Sequence, residues 1–180
     1  MQKKKKTKQP SPTIVLQEFT DKVEEDHNII FKPNVGPQTD FLAASEREVL
    51  YGGSAGGGKS YAMLADPLRF MDVPAFAGVL LRHTTEELRE LITKSQEMYP
   101  KIWPGIKWSE RKMTWTAPSG ATLWLSYLDK DQDVTRYQGL AFSWIGFDEL
   151  TQWATPFAWN YMRSRLRTAD PSLPLSMRAT

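Results

Sequence analysis

The 180-residue chain contains no cysteine, which excludes disulfides, thiolate zinc sites and cysteine nucleophiles. Its histidines, His27 and His83, are too few for a histidine-rich metal site. No apolar run approaches the roughly 20 residues that a membrane-spanning helix requires. The N-terminal lysines are not followed by an apolar segment, so a secretory signal is not expected either. These absences are compatible with an intracellular location. The first eight residues also lack acid, while Lys3, Lys4, Lys5, Lys6 and Lys8 crowd into them. The whole chain carries 23 Lys and Arg against 21 Asp and Glu, so the body behind that tail is slightly acidic. The basic pI thus belongs to the tail and is no argument for nucleic-acid binding by the folded part. Such a tail either touches phosphates nonspecifically, releasing counterions, or serves as a solvated, solubilising end.

What is present has an ordinary globular composition: 41% hydrophobic, 24% charged and 12% aromatic. The length suits one domain with a substantial core. Residues 1–30 read as a disordered basic tail and lead-in, and residues 31–180 as the domain. Pro33, Gly36 and Pro37 favour an extended stretch over a long helix across residues 14–40. Beyond them short apolar strands alternate with helical segments, the pattern of an α/β domain. Strands are expected at residues 48–52, 77–82, 143–147 and 173–180. Residues 113–117 and 121–127 flank Pro118-Ser119-Gly120, a hairpin signal. Tyr61, Leu64, Leu68 and Met71 mark a helix over residues 59–71, which Pro67 should kink or split. A second helix, over residues 84–99, opens on the capping-box residues Thr84 and Glu87, and a third covers residues 156–167. The last strand runs to the end of the chain, so the sequence reads as a fragment of a longer protein.

Gly53, Gly58, Lys59 and Ser60 satisfy the pattern G-x-x-x-x-G-K-[ST], and Ser54, Ala55, Gly56 and Gly57 complete the loop. Glycines let the backbone curl so that several N–H groups point into one concavity and hold phosphate oxygens. The following helix adds the positive end of its dipole. In this pattern Lys59 reaches the β- and γ-phosphates and the Ser60 hydroxyl ligates magnesium. A flexible glycine turn would not explain Lys-Ser, nor a strand before the loop and a helix after it. The second signal is Trp144-Ile145-Gly146-Phe147-Asp148-Glu149, an apolar strand ending in two acids. There Asp148 would hold the magnesium, usually through water, and Glu149 would orient and deprotonate the attacking water. Asp-Glu after a strand is also a common strand-to-loop transition; the phosphate loop upstream is what makes it a partner motif. Together they predict a P-loop NTPase of the class with an additional strand and a catalytic glutamate. Its fold would be a mainly parallel sheet flanked by helices, with a β-hairpin insertion, and its cofactors ATP and Mg2+.

The residues resemble one family closely: the large terminase subunit of tailed bacteriophages, the motor that packages DNA into proheads. The resemblance covers about residues 31–180. It is carried by Phe31-Lys32-Pro33-Asn34-Val35-Gly36-Pro37-Gln38-Thr39, by Leu50-Tyr51-Gly52-Gly53 leading into the glycine loop, and by Leu81-Arg82-His83-Thr84. Tyr137-Gln138-Gly139 and Phe147-Asp148-Glu149-Leu150-Thr151-Gln152 are also terminase-like. The resemblance implies that Gln38 reads the adenine edge, which favours ATP over GTP. It also implies an arginine supplied by the neighbouring subunit of a ring. Arg136 is the first candidate and Arg82 the second, since residues 54–57 contain no arginine. Residues 176–180 resemble the start of the family's coupling motif, without the asparagine that normally follows.

The implied function is ATP hydrolysis driving translocation of double-stranded DNA, with a portal protein and a small terminase subunit as partners. A homo-oligomeric ring is expected when assembled and a monomer in isolation. The expected location is the host cytoplasm, with no membrane and no place in the mature virion. No nuclease activity is expected of 180 residues, and the isolated fragment is expected to turn over ATP weakly. The alternatives are another P-loop ATPase, helicase-like or PhoH-like, and a nucleotide-dependent assembly module. The seven tryptophans are expected to pack the core or hairpin rather than stack on bases. Arg163, Arg165 and Arg167 read as a solvated helix end, with contact to a phosphate backbone or a neighbouring subunit as the alternative.

Overall fold

The structure, a computed structural model, describes residues 29–53 and 56–180. The tail over residues 1–28, together with Ser54 and Ala55, lies outside the described residues. Pro33–Thr180 forms one unit, divided from Met1–Lys32. In chain order the elements are α1 (Pro37–Ala43), β1 (Glu48–Leu50), α2 (Lys59–Ala65) with a 3-10 helix after it (Asp66–Phe70), and β2 (Ala77–Arg82). Next come α3 (Thr85–Ile102), β3 (Lys107–Ser109), β4 (Thr114–Thr116), β5 (Thr122–Tyr127) and a second 3-10 helix (Asp131–Tyr137). β6 (Trp144–Phe147), a 3-10 turn (Leu150–Gln152), α4 (Phe157–Arg163) and β7 (Ser176–Ala179) complete the chain.

All these strands join one sheet in the order β1-β7-β6-β2-β5-β4-β3. β1, β7, β6, β2 and β5 run parallel to their neighbours, whereas β4 and β3 extend the edge antiparallel. The expected mainly parallel sheet is therefore present, and β7 is the additional strand, inserted between β1 and β6. The hairpin is less of an insertion than the sequence implied. β5 belongs to the parallel sheet, and β3 and β4 fold back to lengthen it.

Alternation along the central strands decides what packs on each face. Val79 and Leu81 of β2 lie beside Ile145 and Phe147 of β6, which lie beside Met177 and Ala179 of β7. These residues form one buried cluster with Ala158 and Met162 of α4 and with Val134 and Tyr137. Their neighbours Leu80, Gly146 and Arg178 occupy the other face, in register with one another. Gly146 is required there: a Cβ would run into the Trp144 ring and come within 2.8 Å of both Leu80 and Met63. Burial of each large aliphatic or aromatic side chain in such a core contributes about 1.5–3 kcal/mol.

Helix ends follow local chemistry. α2 stops at Ala65 and continues as a 3-10 helix containing Pro67, because proline cannot supply the next helical N–H. α3 starts on a complete capping box between Thr84 and Glu87. α4 ends at Arg163, four residues short of expectation. The Arg165 carbonyl accepts the Phe142 N–H at 3.0 Å and the Arg167 N–H donates to the Phe142 carbonyl at 2.8 Å, so the backbone there serves the sheet. The extended lead-in expected up to residue 40 is interrupted by α1, which starts on Pro37 and buries Gln38 and Phe41. β3 was not foreseen either.

Candidate functional site

Because β1, β7, β6 and β2 are parallel, their carboxyl ends share one edge of the sheet, where ligands of open α/β sheets bind. The segments leaving that edge are the glycine loop after β1, Thr180 after β7, Asp148-Glu149 after β6 and Arg82 at the end of β2. A cleft of 390 Å³ opens there, lined by Gly56, Gly57, Gly58, Lys59, Ser60, Tyr61, Arg82, Glu90, Lys94 and Glu149. The fold has brought the two sequence motifs together around one cavity.

Side chains tether the loop from outside. The Tyr51 hydroxyl donates to the Gly57 carbonyl at 2.8 Å, and its ring stacks on Phe41 at 5.4 Å. Lys59 Nζ donates to the Gly53 carbonyl at 3.0 Å. Gln38, only 3% exposed, donates from Nε2 to the Gly58 carbonyl at 2.8 Å and accepts the Asn34 N–H at 2.6 Å. Gly58 has φ +73°, a left-handed conformation that glycine adopts without penalty. A Cβ on it would lie 2.7 Å from Gln38 Nε2.

The acids are held just as closely. Asp148 is fully buried; its Oδ1 accepts the Thr180 hydroxyl at 2.6 Å, and its Oδ2 lies 3.0 Å from Arg82 Nε. Those last two atoms are opposite charges in contact, yet neither makes a hydrogen bond among the described residues. A buried carboxylate oxygen without a hydrogen bond, against an arginine that lines the same cleft as Ser60, is a hard oxygen donor of the kind magnesium uses, so the donor set fits that ion. Glu149 follows in a left-handed conformation, φ 59° and ψ 53°. Its N–H donates to Thr180 Oγ1 at 3.1 Å, and the Leu150 N–H to the Thr180 carbonyl at 2.7 Å. One threonine thus fixes both acids, turning the chain so that Glu149 lines the cleft.

α3 forms the opposite wall. Lys94 pairs with Glu90 at 2.5 Å and lies over the Tyr61 ring at 5.2 Å. Lys94's hydrogen bond and charge hold the Glu90 carboxyl below its ordinary value. Burial works to raise Glu87, but hydrogen bonds from Gln152 and Thr84, with the Arg82 charge, outweigh it and keep that carboxyl low as well. Gln152 Nε2 reaches Glu87 at 2.5 Å, tying the turn after β6 to the start of α3. From sequence Tyr61 marks only a helix face, Glu90 only the acidic start of a helix and Lys94 nothing in particular, so none of the three is expected at the cleft they line. The i,i+4 spacing of Glu90 and Lys94 was a visible signal for an ion pair, though not for where it points.

Arg136 stands elsewhere. It donates to the Tyr127 carbonyl at 2.6 Å and to the Asp133 carbonyl at 3.2 Å, covers the Tyr127 ring at 5.2 Å, and is not among the residues lining the cleft. Arg82, the second candidate, lines it. Arg163 pairs with Glu48 at 2.7 Å, and Arg167 caps the Gly139 and Leu140 carbonyls. Trp115, Trp144 and Trp153 are buried, and Trp103, Trp108, Trp124 and Trp159 are half-buried.

A parallel sheet with a glycine loop after its edge strand, an inserted strand, and an acid pair after the next defines a P-loop NTPase. The model of one family, described as terminase large subunit, T4likevirus-type, N-terminal, matches residues 50–169, and the chain belongs to that family. No curated protein matches the chain. Among solved structures, the large terminase of a thermophilic bacteriophage superposes with TM-score 0.63 at 18% identity, covering 82% of this chain and 39% of that one. The same phage's large terminase in complex with ADP gives 0.58 at 19%, covering 79% and 38%. The Thermus phage P74-26 large terminase ATPase domain gives 0.57 at 13%, covering 85% and 66%. At these identities the likeness is one of fold. The chain spans about two fifths of the length of the first of these terminases.

Proposed function

We propose that this chain is an ATPase motor domain that hydrolyses ATP to drive double-stranded DNA into a prohead. The observation that carries the proposal is the single cleft lined by Gly56–Ser60 residues, Arg82 and Glu149, with Asp148 buried behind it against Arg82. The glycine-loop N–H groups and Lys59 would bind the phosphates. Asp148 and Ser60 would hold magnesium, which when bound neutralises charge on the phosphate oxygens. Glu149 would accept the proton of the attacking water, aimed by the Thr180 contacts to its N–H. Gln38 supports an adenine-reading role by lying directly against the loop. Its amide already serves Gly58 and Asn34, leaving one N–H and one lone pair for a base. Arg136, anchored on Tyr127 away from the cleft, is proposed as the arginine given to a neighbouring subunit's site, which would make the working form a ring. Portal protein and small terminase subunit are its proposed partners, in the host cytoplasm.

The test is phosphate release with and without DNA. Stimulation by duplex and not by single strands supports the motor. Stimulation by single strands alone turns the assignment to a helicase-like ATPase. Nucleotide binding without turnover in any assembled state would make the chain an assembly module.

A further inference from the structure

Asp148 carries a charge in a place that water does not reach, and buried charges need a counter-charge. One oxygen is committed to the Thr180 hydroxyl at 2.6 Å, and that threonine is itself fixed by its N–H to the Phe147 carbonyl at 3.0 Å. The other oxygen faces Arg82 Nε at 3.0 Å, with side-chain exposures of 7% for the arginine and 0% for the aspartate. The contact is ionic without being a hydrogen bond, since both atoms lack a hydrogen-bond partner. A guanidinium in so buried a pair would normally align its N–H groups on the carboxylate. Here it only lies against the oxygen. That is also the Asp148 oxygen with no hydrogen bond committed to it, so a divalent ion arriving at this carboxylate would meet the Arg82 charge a few Å away and be repelled by it. Arg82 has somewhere to go: it lines the phosphate cleft with Glu90 and Glu149.

We infer that Arg82 is the resident counter-cation of Asp148, which a divalent ion displaces, so that metal loading and release of Arg82 into the cleft are one event. The inference rests on Asp148 being the metal ligand. Displacement opposes metal binding, so the nucleotide-free chain takes up a divalent ion weakly, and the metal replaces the arginine electrostatically when it arrives.

Mn2+ titration of the nucleotide-free chain, followed by electron paramagnetic resonance and by thermal melting, tests this. Arg82→Ala should bind Mn2+ at least about tenfold more tightly than wild type, because a like charge a few Å away is worth more than that. Arg82→Ala should also melt lower without metal and recover with it, by a larger increment than wild type shows. Arg82→Met keeps the volume of the stem and carries the same expectation if the alanine variant does not fold. Arg82→Lys, retaining the charge, should stay near wild type. Mn2+ affinity in the neutral variants within about twofold of wild type overturns the inference. Asp148→Asn separates the two failures. If it leaves Mn2+ binding intact, the assignment of Asp148 as ligand has failed; if it abolishes binding while the arginine variants match wild type, only the displacement has failed.

Discussion

Thr180→Val removes a hydroxyl while keeping the shape of the side chain. The hydroxyl donates to Asp148 Oδ1 at 2.6 Å and accepts the Glu149 N–H at 3.1 Å. A buried hydrogen bond to a charged group contributes about 1.5–3 kcal/mol and a neutral one about 0.5–1.5 kcal/mol. The first leaves a buried carboxylate oxygen unsatisfied, and the second leaves a left-handed glutamate without its anchor. The left-handed conformation itself costs about 1–2 kcal/mol in a non-glycine residue. The summed loss is about 2–4.5 kcal/mol, which for a domain of this size lowers Tm by about 4–18 °C. Thermal melting followed by circular dichroism reads it directly. Thr180→Ser retains both hydrogen bonds and should recover most of the loss. A valine variant melting within about 2 °C of wild type, or a serine variant falling as far as valine, refutes the assignment of Thr180 as the clamp on both acids.

Arg178→Met should be as damaging for a different reason. Asp66, fully buried, is shared by Arg178 Nε at 3.3 Å, Arg69 at 2.5 Å and Trp144 Nε1 at 2.7 Å, and Arg178 also satisfies the Ala44 and Glu46 carbonyls. Removing one partner of a buried pair costs about 3–5 kcal/mol, to be read as a lowered denaturation midpoint at unchanged slope. Gly58→Ala forces a left-handed alanine onto the Gln38 amide. It should weaken nucleotide binding by at least about tenfold, an effect of the size of the lost Gln38 hydrogen bonds, with only a modest fall in Tm; calorimetric titration with an ATP analogue checks it. Gly146→Ala, whose Cβ would overlap Trp144, Leu80 and Met63, is expected to lose about 1–3 kcal/mol through overpacking, measured by urea denaturation.

Elements with a strong local signal were legible in the sequence. The apolar runs of β2 and β6 are nearly continuous because both faces are covered, Pro67 marked where α2 gives way, and Thr84 with Glu87 announced α3. The glycine loop and Asp148-Glu149 could be named as motifs because their chemistry depends on spacing along the chain. Short elements were less visible. α1 is a seven-residue helix opening on a proline and β3 is a three-residue edge strand, and each is held by tertiary contacts more than by its own pattern. Partners distant in sequence were invisible: Asp66 with Arg178 and Asp148 with Thr180 meet because β7 inserts between β1 and β6, and Asp148 with Arg82 because β6 lies directly beside β2. An arginine reads the same in sequence whether it lines the cleft, as Arg82 at the end of β2 does, or is anchored away from it, as Arg136 in the second 3-10 helix is.

Glu149→Gln measured beside wild type tests the central claim most directly, with ATP binding and phosphate release followed on the same preparations. The amide keeps the shape of the side chain and cannot take the proton. ATP affinity should stay within about twofold of wild type, while phosphate release falls by about 100-fold or more, the contribution of a positioned general base. Phosphate release by Glu149→Gln at the wild-type rate would contradict the account.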